Sequence, residues 1–284
     1  MILSTHTEIL PKKFGYEETV KLYAKTGFDA YDATFFDMKE PNFYFEENYR
    51  EKALNLRKTA DENNILCNQA HAPFPMHRDG DPSWDKKMLG YAEKSLEISS
   101  ILGAKVCVVH PWNSWEAEEN VEKIYLPLKE TADKFHVKIG VENMWNRKDG
   151  RASAAACSSP DDFVKHMELL PKDTFTACLD IGHAEMFEGF AAPDFIYALN
   201  ERLGALHVHD NDRIHDLHYF PYMGTIDWEK ICKALADIDY KGDFTLESDH
   251  TFLRYPENLI PELLPLLEKT GRTLISKIEG YKSK

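Results

Sequence analysis

The sequence predicts an α/β fold, a single (β/α)8 barrel over residues 1–284. Three observations predict it. Short β-like runs alternate with longer helical patterns, and that alternation argues for a parallel sheet. The chain of 284 residues suits one barrel of ~250 residues as well as it suits two domains of ~150. The Gly-x-Gly-x-x-Gly turn that announces a doubly wound nucleotide fold does not occur. No low-complexity linker divides the chain.

The elements follow in order. Residues 2–7 read as a first strand and 17–26 as a helix ended by Gly27. Residues 28–34 are a second strand, followed by a Leu-, Ala- and Lys-rich helix at 46–63. The third strand, 65–71, is stopped by Pro73 and Pro75. Ser83 caps a helix that runs to Leu102, with Gly103 at its end. The run Lys-Val-Cys-Val-Val-His at 105–110 is a compact fourth strand closed by Pro111. The helix at 116–135 is interrupted or kinked near Pro127, and 137–143 is the fifth strand. Residues 144–159 read as a long loop. Ser159-Pro160-Asp161-Asp162 then opens a helix with a cap, a first-turn proline and acids at its positive end. Strands at 175–180, 205–210 and 243–248 alternate with helices at 193–202, 227–238 and 257–278. Residues 211–226 form another loop.

Composition narrows the function. Lys and Arg total 34 against 48 Asp and Glu, a net charge of −14. Nucleic-acid affinity draws chiefly on neutralised phosphates, so this balance disfavours a nucleic-acid partner. A small molecule is the expected one. Cys67, Cys107, Cys157, Cys178 and Cys232 contain no Cys-x-x-Cys pair. They read as buried free thiols in a reducing cytosol. The N-terminus lacks a secretory pattern, and no apolar run approaches the ~18 residues of a membrane span. A cytoplasmic location without membrane association is expected.

The chemistry-bearing residues gather at the C-terminal ends of the expected strands. Strand three ends at His71, strand four at His110, strand five at Glu142 and strand six at Asp180, with His183 three residues on. Strand seven carries His207 and His209, and strand eight Glu247. The loop after strand seven adds Asp216 and His218. In a closed barrel these ends meet at one mouth, where active sites lie. So many carboxylates suppress each other's ionisation unless a cation sits among them. Every residue type present is a metal-ligand type. Glu142, Asp180, His209 and Glu247 are the leading ligand set. His207, two residues before His209, reads as sharing its face or as a supporting partner. His6, His77, His136, His166 and His250 read as structural. Trp112, Trp115 and Trp145 either wall a small-molecule ligand or pack on the rim. Phe35, Phe36, Phe43 and Tyr44 either cover the mouth or form an oligomer contact.

These motifs resemble the xylose-isomerase-like barrel superfamily, which holds sugar isomerases and epimerases and the apurinic-site endonuclease IV group. The resemblance spans nearly the whole chain. It is carried by Ala70-His71-Ala72-Pro73, Val109-His110-Pro111, Val141-Glu142-Asn143, Leu179-Asp180-Ile181-Gly182-His183, His207-Val208-His209-Asp210-Asn211-Asp212, Asp216-Leu217-His218 and Leu246-Glu247. Against the ketose epimerases it implies one divalent ion (Mn2+, Mg2+, Co2+ or Zn2+) held by Glu142, Asp180, His209 and Glu247. The two glutamates then serve as acid and base, and His183 and Arg213 contact substrate. Against the endonuclease IV group it implies up to three Zn2+ on His71, His110, Glu142, Asp180, His183, His209, Asp216, His218 and Glu247, acting on abasic DNA. The family's Gly-x-Gly after Asp-x-His is replaced by Tyr222-Met223-Gly224. Relatives of this type often pair, so a homo-oligomer is a further expectation. The leading expectation is a sugar, sugar phosphate or sugar-derivative isomerase or epimerase. Its reaction is proton removal beside a carbonyl through a metal-stabilised enediolate. A barrel that binds a sugar-like ligand without catalysis is the third reading.

Overall fold

The computed structural model describes residues 1–36 and 45–283. The first strands are β1 (Leu3–His6), β2 (Ala30–Thr34), β3 (Leu66–His71), β4 (Val106–Val109) and β5 (Lys138–Glu142). A small antiparallel hairpin, β6 (Asn146–Lys148) and β7 (Arg151–Ser153), lies within the segment expected to be loop. Then come β8 (Phe175–Asp180), β9 (Leu203–His207) and β10 (Phe244–Leu246). Apart from the hairpin, the strands form one parallel eight-stranded sheet in the order β10-β1-β2-β3-β4-β5-β8-β9. The sheet nearly closes into the expected barrel. Across the seam, Val208 N–H donates to Thr245 O at 2.9 Å and Glu247 N–H to Val208 O at 3.0 Å.

The helices are α1 (Pro11–Phe14), α2 (Tyr16–Thr26), α3 (Tyr49–Glu62), α4 (Pro82–Leu102), α5 (Ala117–Asn120), α6 (Leu126–Phe135), α7 (Pro160–Glu168), α8 (Ile181–Ala184), α9 (Ala192–Leu199), α10 (Trp228–Asp237) and α11 (Ile260–Lys282). Gly27 and Gly103 end α2 and α4 with φ of 110° and 93°, a left-handed conformation that costs glycine little. The cap of α4 is Asp81 rather than Ser83: its carboxylate accepts the Trp84 N–H at 3.1 Å and the Ser83 hydroxyl at 2.6 Å. The interruption expected near Pro127 is a π-helical turn over Val121–Tyr125, which leaves Pro127 in the first turn of α6, where its missing N–H costs nothing. Among the described residues no helix is long and apolar enough to cross a membrane.

Two apolar regions hold the barrel. The larger lies between sheet and helices, where strand residues such as Leu3, Val141, Leu179 and Leu206 share a core with Leu96, Phe163, Phe195 and Leu274. The smaller fills the barrel itself: Val108, Cys178 and Ala205 pack together with Val106. Gly140 completes this layer, since a Cβ there would sit 3.1 Å from Val106 and 3.2 Å from Val108. Inward positions repeat every two residues along a strand. Two residues beyond Val108, Gly140, Cys178 and Ala205 stand His110, Glu142, Asp180 and His207. The packed interior is thus the floor on which the polar mouth rests. All five cysteines are buried and free.

Candidate metal centre and active site

Three adjoining groups of ligand-type side chains gather around Glu142, Asp180 and Asp216 at the mouth, and His6, Glu8 and Asp249 form a further one beside Glu247. In the central group, Glu142, Asp180, His207 and Glu247 bring one ligand atom each within 4.8 Å of one another, all buried. His207 Nδ1 lies 3.1 Å from Glu142 Oε1 and 2.9 Å from Glu247 Oε2. In the second group, His71 Nε2 lies 2.9 Å from His110 Nε2, and the two stand 3.2 and 3.0 Å from Glu142 Oε2. The third group joins His183, His209, Asp216 and His218. There Asp216 Oδ2 meets His183 Nε2 at 3.3 Å and His218 Nε2 at 3.2 Å.

Two imidazoles, His207 and His209, stand at the expected ligand set. Strand β9 starts at Leu203 and ends at His207, so His207 pairs in register with Asp180. His209 lies past the strand, with Nε2 3.1 Å from Asp180 Oδ1 and its ring stacked on His218 at 4.1 Å. Glu142, Asp180 and Glu247 converge around His207, and His209 meets the same cluster through Asp180. Both histidines share parity along the chain, and only the depth set by the sheet register separates them. Arg213 is outside all three groups and pairs with the buried Glu185 at 2.8 Å.

Local structure positions each group. Asn143 Nδ2 donates to Asp180 O at 2.9 Å, and Asp180 N–H donates back to Asn143 Oδ1 at 2.7 Å, tying the ends of β5 and β8. The Asp180 carboxylate also caps α8 through the His183 N–H at 2.7 Å. His183 Nδ1 lies 2.9 Å from Asn143 O, and His218 Nδ1 lies 2.9 Å from Glu247 O; these carbonyls aim both Nε2 atoms at Asp216. Asn143→Ala is expected to cost about 1–3 kcal/mol by stranding the buried Asp180 N–H, read as a lowered denaturation midpoint.

Gly182 is required for a different reason. A Cβ at this position would lie 1.9 Å from His209 Cε1. Gly182→Ala should therefore push the His209 ring out of its stack, at a cost of about 1–3 kcal/mol. A crystal structure of the variant with His209 unmoved would refute this. At the departure from the family's Gly-x-Gly, Tyr222 adopts φ of 74°. Its N–H is held by Asp210 Oδ2 at 2.9 Å, which keeps a non-glycine in a left-handed conformation.

Imidazoles and carboxylates perturb one another strongly at the mouth. Burial alone would raise the Glu142 and Glu247 carboxyls, but His207 beside both, with His110 at Glu142 and His6 at Glu247, holds them well below the usual range. Burial would depress His207, yet its anionic surroundings, Glu247 and Glu142 among them, keep it well above the ordinary imidazole value. His183 is likewise pushed up to about 10 by Asp180 and Asp216 against its burial. His71, buried beside His110, is lowered. Glu247 Oε2, His207 Nε2, His209 Nδ1 and Asp216 Oδ1 are buried without an aligned hydrogen-bond partner. Such orphans are costly in an interior, and ion coordination would satisfy Glu247 Oε2 and Asp216 Oδ1.

Two strand residues, His6 and Asp32, were not singled out as site residues in the sequence. His6 Nε2 stands 3.4 Å from Glu247 Oε1, and its Nδ1 3.5 Å from Asp249. Asp32 lies 3.7 Å from His207 Nε2 and accepts Gln69 Nε2 at 2.9 Å. The available signal was a polar residue at the end of β1 and another inside β2, each on a strand otherwise buried. Phe36 sets its ring edge-on to His71 at 4.3 Å, and Phe74 lies 4.5 Å from His110. Phe35 belongs to the core, and Phe43 and Tyr44 lie outside the described residues. Trp145 approaches His183 at 6.4 Å, whereas Trp112 and Trp115 pack on His77.

The family model described as xylose isomerase-like TIM barrel matches residues 20–270. The chain belongs to that family. It is 26% identical over 159 residues to an uncharacterized protein, y4fM, of Sinorhizobium fredii, covering 54% of this chain and 50% of that one. It is 22% identical over 216 residues to a D-psicose 3-epimerase of Enterocloster bolteae, covering 70% and 66%. The chain thus spans half to about two thirds of the length of these relatives. Among solved structures, the IOLI protein with a bound zinc atom superposes with a TM-score of 0.74 at 17% identity, covering 98% of this chain and 99% of that one.

Proposed function

We propose that this member of the xylose isomerase-like family is a divalent-metal-dependent sugar isomerase or epimerase. The observation that carries the reading is the buried convergence of Glu142, Asp180, His207 and Glu247 at the barrel mouth. The likeness to a D-psicose 3-epimerase supports a sugar-like substrate. Three carboxylates and one imidazole are a donor set for Mn2+, Mg2+, Co2+ or Zn2+. A divalent ion bound there would supply Lewis-acid polarisation of a carbonyl and its neighbouring hydroxyl.

The remaining chemistry belongs to the side chains. Glu142 and Glu247 flank Asp180 and His207 from strand ends on either side. One carboxylate removes the proton beside the substrate carbonyl, and the other passes to the opposite face a proton that it first takes up from solvent. Epimerisation uses both groups; isomerisation needs one. His183 donates to a substrate hydroxyl, and Phe36, Phe74 and Trp145 shield the reacting carbons from water. The test is proton exchange with solvent. A ketohexose incubated in D2O with the metal-loaded protein should gain deuterium on the carbon beside its carbonyl. No exchange across a panel of free and glycosylated ketoses would refute the reading.

Metal affinity should rise with pH. His207 holds its proton above the ordinary range, and coordination must displace that proton, so binding is weaker where the imidazole is charged. Each proton displaced contributes roughly tenfold per pH unit. Apparent metal Kd measured at pH 6 and pH 8 should therefore fall. An unchanged Kd would place the ion elsewhere.

A second reading has its own support. His71, His110, Glu142, Asp180, His183, His209, Asp216, His218 and Glu247, the nine residues of the endonuclease IV-like set, fall together with His207 into three adjoining groups, as a trinuclear zinc phosphoesterase acting on abasic DNA would need. The net charge of −14 opposes a duplex partner. Three zinc ions per chain together with incision at an abasic site would favour this second reading.

A further inference from the structure

Across Trp145 from the ligand-type groups at the mouth lies a cleft of about 630 Å³, within the ~300–1,000 Å³ range of small-molecule pockets. Its walls are the loops that follow β4, β5 and β8, the strands that end in or just before His110, Glu142 and Asp180. The loops are knitted into one surface. Met144 N–H donates to Ala156 O, and Ala156 N–H to Asn113 O, both at 3.1 Å. Asn113 Nδ2 donates to Trp145 O at 3.1 Å and Asn146 Oδ1 at 3.0 Å. Because the Trp145 ring faces His183, the inner wall of the cleft is one side chain away from the third ligand group.

The lining has a definite chemistry. Trp115, Phe187 and Phe190 offer aromatic surface, Asn113 and Asn146 offer amides, and the run Ala154-Ala155-Ala156 keeps one wall shallow. No basic side chain lines it among the described residues, whereas Glu116, Asp162 and Glu188 do. The positive end of α7 opens here but is already neutralised: Ser159 Oγ accepts the Asp162 N–H, and the Asp162 carboxylate takes the Cys157 N–H at 2.7 Å. A phosphate would meet three carboxylates and no free cation. A neutral sugar ring finds apolar faces for its C–H surface and amides for its hydroxyls.

We infer that this cleft is a glycosyl subsite, so that the substrate is a ketose carrying a second, uncharged sugar ring rather than a free monosaccharide or a sugar phosphate. The inference rests on the isomerase reading for what occupies the metal centre, but the subsite itself can be tested by binding. The probes are D-fructose and glucosyl-fructoses linked through O4, O5 or O6, titrated into metal-loaded protein by calorimetry. At least one disaccharide should bind tenfold or more tightly than fructose. Ala154→Trp, at an exposed position that does not touch the ligand groups, fills the cleft and should abolish that advantage while leaving fructose binding unchanged. Phe187→Ala should reduce it severalfold. Equal affinity for all four sugars, or an advantage that survives Ala154→Trp, would overturn the subsite. Deuterium exchange run on the same samples separates the two ideas: preferential disaccharide binding without exchange refutes the isomerase reading and leaves the subsite standing.

Discussion

Glu142→Gln and Glu247→Gln are each expected to lower proton exchange by on the order of 10²–10⁴-fold, the range of general acid–base catalysis. Both side chains are buried and sit against His207. Glutamine keeps their shape and an acceptor oxygen but cannot take a proton from carbon. Thermal midpoint and circular dichroism should show the barrel intact in both variants. The metal count must be measured on the same samples, because each glutamate is also a proposed ligand. A variant that retains its ion and exchanges within about tenfold of wild type would remove that glutamate from the mechanism.

His207→Ala and His209→Ala provide the second large effect and the sharpest contrast. His207 stands between the two glutamates, whereas His209 touches Asp180 and Asp216 from the side. Loss of His207 should weaken metal binding beyond the ~10–100-fold typical of residues that support a ligand set from outside it. Loss of His209 should remain within that range. Competition against a fluorescent chelator measures both. The reverse order would restore the ligand set read from sequence.

That contrast marks where the sequence stopped being informative. Strand-then-helix alternation is a local signal of hydrophobic period and turn chemistry, so the barrel and the strands that carry its ligands were legible. Glu142 and Asp180 each end a strand, and Glu247 follows directly on one, so their convergence was legible as well. Depth was not. His207 and His209 lie on one face by parity, and their level in the barrel is set by the pairing of β9 with β8, including a register shift at Ala177/Cys178. No local pattern encodes that shift. His6 was obscure for a related reason. β1 meets β10 only across the whole chain, so the approach of His6 to Glu247 and Asp249 is a product of closure. The β6–β7 hairpin, with three-residue strands, is too short to carry a period. Arg213 was placed by resemblance near substrate, but in this structure its partner is Glu185. The aromatic residues divided by packing: Phe36 faces the imidazoles, and Phe35, one residue earlier, is in the core.

The central claim is that Glu142, Asp180, His207 and Glu247 hold one ion on which activity depends. It is tested most directly by counting metal, by mass spectrometry, on protein purified without added metal or chelator. The comparison is wild type against His207→Ala. The account predicts about one divalent ion per wild-type chain, its loss in His207→Ala, and loss of exchange with it. Three zinc ions per chain, or one ion retained after His207→Ala, would contradict it.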